Sequence, residues 1–266
     1  MNTSDLETLC RRIAPGDIAG HPVYVCLASE MPPPLRPSPS TWGYTGPALD
    51  LAIHHWLSDS GRWRGRGIAI VINDIAITED VSALAGNDAD FRNDLYATRI
   101  LATVLHELAH ALSMKLDFKP LPVEVAEEIE AKALATTTTW VATSDEHTAE
   151  LSGPAWLGHE AGFIRALLHV IQRAYRAGIE RLPDNLLFVS EHYSLSQLWN
   201  YRRALEPEIE AFGQPLTFHD LRQCRPTESF IELWKKDLHD WVDAQSDELA
   251  ILDMVAALRP YIHAAG

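Results

Sequence analysis

The chain has 266 residues, 47% of them hydrophobic, and a formal net charge of −15 from 37 acidic against 22 basic side chains. That length and apolar content suffice for one sizeable core, or a main domain with a helical extension, and exclude a disordered or low-complexity chain. The acidic balance argues against a nonspecific grip on nucleic acid or an anionic membrane, because phosphate binding runs on clustered Lys and Arg. The short basic cluster Arg62, Arg64 and Arg66 reads as a solvated turn. Three widely spaced cysteines, Cys10, Cys26 and Cys224, form no C-x-x-C pair and no disulfide framework, which points to a reducing compartment. Neither a signal-peptide core nor a run of about twenty apolar residues is evident. The expectation is a soluble, cytoplasmic protein with no membrane or nucleic-acid partner.

In chain order, residues 4–14 read as an amphipathic helix capped by Ser4 or Asp5 and stopped by Pro15-Gly16. Val23–Leu27 reads as a short buried strand. Residues 31–45 carry prolines at 32, 33, 34, 37 and 39 and are expected to form no regular element, but a rigid surface connector rather than a cleft wall. Residues 47–57 have Pro in the first turn and helical apolar spacing. The adjacent His54 and His55 of that helix diverge by about 100° and cannot act as a pair.

Residues 67–77, GIAIVINDIAI, give the clearest strand signal, followed by an expected loop over 78–90 and a long helix over 90–115. Such a strand belongs to a sheet packed on that helix, with an edge able to hold an extended peptide by main-chain pairing. Prolines in 117–122 end the helix. An acidic helix over 124–139, a polar loop over 144–153 and a helix over 160–177 follow. Further helices are expected over 194–212, 227–244 and 246–263, the last two capped by Thr227 and Ser246. Trp199, Trp234 and Trp241 there signal packing rather than a ligand box. The fold class is therefore α+β and mostly helical, with a small sheet packed on the long helix. Residues 1–178 form the main domain, and residues 179–266 a helical region packed against it.

Chemistry concentrates in Leu101–Leu112, LATVLHELAHAL. Leu101, Val104, Leu105, Leu108 and Leu112 make a buried helical stripe. His106 and His110, four residues apart, share another side of the helix, with Thr103 and Ser113 at its margins. Two neutral imidazoles so stacked bind one divalent cation, and the adjacent Glu107 handles a proton, the chemistry of an H-E-x-x-H zinc site.

A catalytic zinc takes three protein ligands, so a third is needed. One source is the acidic helix, with Glu124, Glu127, Glu128 and Glu130 lying 14 to 20 residues after His110. The other is His159, 49 residues after His110, preceded by Gly158 and opening a helix. His159 is the expected ligand, because a neutral imidazole adds no charge to the site. His147, His169 and His192 are weaker candidates. Ser113 and Leu116 stand where a metzincin needs Gly and His, which excludes that class. Ile129 before Glu130 breaks the N-E pair of thermolysin-like enzymes, and the run from Glu128 lacks the Asn found in ImmA/IrrE-like peptidases.

His106-Glu107-Leu108-Ala109-His110-Ala111, followed by Gly158-His159 and then Phe163-Ile164-Arg165, resembles the SprT-like zinc proteases over about residues 100–168. In that family the third histidine opens a helix in an H-G-x-x-F-like signature. Here Glu160 replaces the glycine and one extra residue precedes Phe163. The resemblance implies a zincin-like first domain, zinc on His106, His110 and His159, Glu107 as catalytic base, and a peptide or protein substrate. The family's usual substrates, proteins on DNA, do not transfer to a chain this acidic. Tyr193, His192 and His147 are candidate donors to the oxyanion. The alternatives are a non-catalytic zinc-binding protein and a helical partner-binding protein.

Overall fold

The computed structural model describes residues 2–16, 18, 22–45, 51–65, 67–113, 140–141, 153–154, 159, 161–179, 195–211, 221, 223–237 and 240. Helix α1 (Thr3–Ile13) starts one residue before its expected position. Asn2 is its cap: Asn2 Oδ1 accepts the Asp5 N–H at 2.9 Å and Asp5 Oδ2 accepts the Asn2 N–H at 3.4 Å. Its buried stripe of Leu6, Leu9, Cys10 and Ile13 faces the core.

Strands β1 (Val23–Leu27) and β3 (Ile68–Ile72) pair in parallel, from Val23 opposite Ile68 to Leu27 opposite Ile72. Strand β2 (Gly43–Tyr44) adds antiparallel to the other side of β3, giving the order β1-β3-β2. Alternation along the strands sorts the side chains onto two faces. Val23, Val25, Ile68, Ile70 and Ile72 join the main core with the helices. Tyr24, Cys26, Ala69 and Val71 join a second cluster with Met31 and with Ile53 and Leu57 of α2 (Leu51–Asp59). His54 of α2 is buried and His55 exposed, so the two diverge as the helical geometry requires.

Two expectations fail around Asn73. The strand expected over 67–77 stops at Ile72, and α3 (Asp74–Ala85) occupies most of the stretch read as loop. Asn73 Oδ1 accepts the Ala76 N–H at 3.2 Å and caps this helix. Ile77 and Val81 then bury one turn apart, so helical packing overrides the β-propensity of Ile75 and Ile77. Gly86, at φ 54°, turns the chain, and Asp88 Oδ1 accepts the Phe91 N–H at 3.0 Å at the start of α4 (Ala89–Ser113).

The third failure concerns residues 31–45, which are not merely a connector. Pro33–Leu35 form a 3-10 turn, and the chain then enters the sheet as β2. Asn73 holds it there: its side-chain N–H groups donate to the carbonyls of Ser38 (3.0 Å) and Thr41 (2.9 Å), and its backbone N–H donates to that of Trp42 at 2.7 Å.

From Arg99 onward α4 is buried on every side, beneath β2 and β3 and against α5 (Ala161–Arg176). Helix α6 (Leu195–Ala211) packs on α5. A helix at 228–237 follows, with the Phe230 N–H donating to Thr227 Oγ1 at 3.4 Å, the cap expected from sequence. Leu198, Tyr201, Phe230 and Trp234 complete the main core. A two-residue pair, β4 (Trp140–Val141) with β5 (Gly153–Pro154), stands where no strand was expected. The described residues are mostly helical, and none of their helices is long and apolar enough to cross a membrane. The acidic segment 124–139 and the helix expected over 246–263 lie outside the described residues.

Candidate metal centre

Helix α4 sets His106 and His110 one turn apart, with ring centroids 4.8 Å from each other. His159, two residues before α5, completes the group because α5 packs along α4. The three Nε2 atoms form a nearly equilateral triangle: 3.1 Å from His106 to His159, 3.1 Å from His110 to His106 and 3.2 Å from His110 to His159. His106 and His110 are buried and His159 is half-buried. The ring of Phe163, one turn into α5, lies below all three imidazoles and stacks on His110 at 4.1 Å and 23°.

This donor set fits a cation. The Nε2 of a neutral imidazole is either donor or acceptor, so three such atoms in a triangle always leave one like-for-like pair. Hydrogen bonds among the three therefore leave one pair unmatched, whereas a shared cation could take all three lone pairs at once. Ligands about 2.0–2.1 Å from a tetrahedral zinc lie about 3.3 Å from one another, close to the spacing found here. Burial holds His110 well below the ordinary 6.5, helped by the nearby His106 and His159, and this keeps the imidazole neutral and available as a ligand. Its other nitrogen, Nδ1, is buried without a hydrogen-bond partner among the described residues.

Glu107 points to the β2 side of the triad. Burial raises its carboxyl to about 8, and a hydrogen bond from the Thr45 backbone N–H works in the opposite direction. The strand comes very close here: a Cβ on Gly43 would sit 2.6 Å from Thr103 Cγ2 and 3.1 Å from Glu107 Oε1. Glycine is thus required by space, not by backbone conformation. A cleft of about 470 Å³, walled by Ser40–Thr45 on one side and Thr103 on the other, opens onto His106, Glu107, His110 and His159.

The structure thus brings together all four residues singled out in the sequence. His169 is elsewhere, buried against Glu208 of α6. His147, His192, Tyr193 and the glutamates at 124, 127, 128 and 130 lie outside the described residues. Sequence reasoning missed Gly43, Thr45 and Asn73. A signal for Gly43 existed: a lone glycine inside the strand-like Thr41-Trp42-Gly43-Tyr44-Thr45 marks a close backbone approach. Asn73 was hidden inside an apparently continuous strand. Comparison with known proteins returns nothing: no family model, no curated protein and no solved structure matches the chain.

Proposed function

We propose that this protein is a zinc-dependent peptidase acting on an extended peptide or protein segment, with His106, His110 and His159 as metal ligands and Glu107 as general base. The reading rests above all on the triangle of Nε2 atoms at 3.1 to 3.2 Å, with a buried carboxylate beside it at the foot of a cleft. A zinc ion bound there supplies Lewis acidity, lowering the pKa of a water toward neutrality and polarising a carbonyl. Glu107 accepts a proton at its carboxylate from the attacking water and returns it to the leaving amine. The Thr45 N–H and the close contact with Gly43 hold that carboxylate on the strand side of the triad. Phe163 braces the imidazoles from below and limits their rotation.

Strand β2 supports a peptide as substrate. Asn73 N–H bonds the Trp42 carbonyl, so Trp42 and Asn73 are a hydrogen-bonded antiparallel pair and Gly43 with Ile72 is the non-bonded one. The N–H and C=O of Gly43 therefore turn away from β3, on the side where the cleft lies, and offer a main-chain edge to an extended segment. The resemblance of the two motifs to those of SprT-like zinc proteases favours the same class, with a zincin-like domain.

Metal analysis of protein purified without chelator or His-tag, combined with peptide-library cleavage, tests the reading. About one zinc per chain is expected, lost in both His106→Ala and His159→Ala. Glu107→Gln is expected to keep the metal and lower turnover by roughly 10²-fold or more. Zinc retained in His159→Ala would remove that ligand from the scheme. A metal-loaded wild type with no cleavage beyond Glu107→Gln would leave a non-catalytic zinc protein.

A further inference from the structure

We propose that the cleft at the amino ends of β1 and β3 binds a small polyvalent oxyanion, either a phosphate ester or a di- or tricarboxylate. It lies at the opposite end of β3 from the triad and shares no lining residue with the triad's cleft. Its volume of about 850 Å³ is far more than a bare ion needs and suits a small organic ligand. Glu7 and Arg11 of α1, Tyr24 of β1, and Arg62 and Arg64 of the turn after α2 all line it. Two segments some fifty residues apart in sequence thus bring three guanidinium groups and one carboxylate to a single concavity.

The carboxylate is already committed. Glu7 Oε1 accepts Arg62 Nη2 at 2.8 Å and the Val25 N–H at 3.2 Å, while the same Arg62 nitrogen donates to the Val25 carbonyl at 2.8 Å. Arg62 is therefore a buttress between α1 and β1. Arg11 reaches only Thr8 Oγ1, at 3.0 Å, and neither Arg11 nor Arg64 pairs with a carboxylate among the described residues. Two uncommitted positive charges facing one cleft are unusual in a chain of net charge −15. In a concave site they focus anions, and the planar fork of Arg matches carboxylate and phosphate oxygens.

The turn that presents them is built rather than loose. Gly61 (φ 72°) and Gly65 (φ 80°) bracket Arg62-Trp63-Arg64 in conformations that favour glycine. Trp63 anchors the middle against Tyr24 at 5.1 Å and His54 at 4.6 Å, and the Tyr24 hydroxyl accepts the Arg64 N–H at 3.0 Å. A solvated basic turn needs none of these fixings. The site does not depend on the peptidase reading.

Calorimetric titration of the full chain with pyrophosphate and with citrate, at ionic strength matched by sodium chloride, tests this. Saturable binding of one anion per chain is expected. Arg11→Gln combined with Arg64→Gln should weaken it by roughly tenfold or more while leaving the melting temperature of the unliganded protein unchanged. Tighter pyrophosphate binding identifies a phosphate ester, and tighter citrate binding a polycarboxylate. Because both probes chelate metals, the titration is repeated in His106→Ala, where the same affinity is expected. Affinity lost in His106→Ala, affinity kept in the double arginine variant, or heats reproduced by sodium chloride alone would each overturn the proposal.

Discussion

Two buried polar groups sit along α5, and both contain histidine. At its approach, His159 meets His106 and His110; in its middle, Arg165 and His169 meet Glu208 of α6. The second group is electrically closed. Arg165 donates Nε to Glu208 Oε1 at 2.9 Å and Nη2 to Oε2 at 3.0 Å, His169 adds a bond at 2.8 Å, and a further Arg165 bond reaches the Cys224 carbonyl. The first group gathers three imidazole Nε2 atoms within 3.2 Å of one another, a donor set that could hold a cation. A histidine thus becomes structural or ligating according to what closes its surroundings. Around His169 a carboxylate does so, and around the triad a cation could.

The largest effect should come from opening the closed group. Glu208→Ala leaves the Arg165 guanidinium, 1% exposed, without its partner, and is expected to cost about 3–5 kcal/mol in denaturant unfolding. A loss below about 1 kcal/mol would erase the distinction between the groups. Next comes closing the open one. Zinc at a hundred times its dissociation constant should stabilise the wild type by about 2.7 kcal/mol, an effect reversed by a chelator and absent from His159→Ala. Equal stabilisation of that variant would break the comparison from the other side.

Asn73→Ala removes a helix cap and the tether of residues 38–42 together, at an expected cost of about 1–2 kcal/mol. Because that tether seats the wall of the triad's cleft, turnover should fall as well, with the metal still bound.

The smallest effect is on the pH profile. Burial pulls His169 below the ordinary 6.5, against the opposing pull of Glu208. Burial alone would raise Glu208, but hydrogen bonds from His169 and Arg165 overcome it and hold the carboxyl below 4.5. Both folded values are depressed, so the unfolded chain takes up protons first as pH falls. The His169 contribution is complete above 6.5 and is lost as pH drops through its folded value; that of Glu208 is complete above 4.5 and is lost lower still. Stability measured at fixed metal should therefore begin to decline just below pH 6.5, and less steeply in His169→Gln.

Local information was enough for much of this molecule. Val23–Leu27, the helices α1, α5 and α6, and the Thr227 cap were readable because periodic burial and capping residues lie within a few positions of one another. His106, Glu107 and His110 were readable for the same reason, since one helical turn carries them all. The extent of β3 was not, because the β-branched pattern resumes at Ile75 and Ile77 straight after Asn73-Asp74. Only the burial of Ile77 and Val81 on α4 shows that the strand has ended.

By itself, then, the sequence brought His106, Glu107 and His110 onto one turn of a buried helix, through side-chain type and spacing along that element, and gave the mostly helical class. Bringing His159 to 3.1 Å from His106 depends on α5 lying along α4, and the sequence of the 48 residues between His110 and His159 does not specify that distance. Seating Glu107 under Gly43 depends on Asn73 pulling a proline-rich segment into the sheet. Both are contacts across long stretches of chain, created by packing, and packing is a property of the whole fold rather than of any stretch of it.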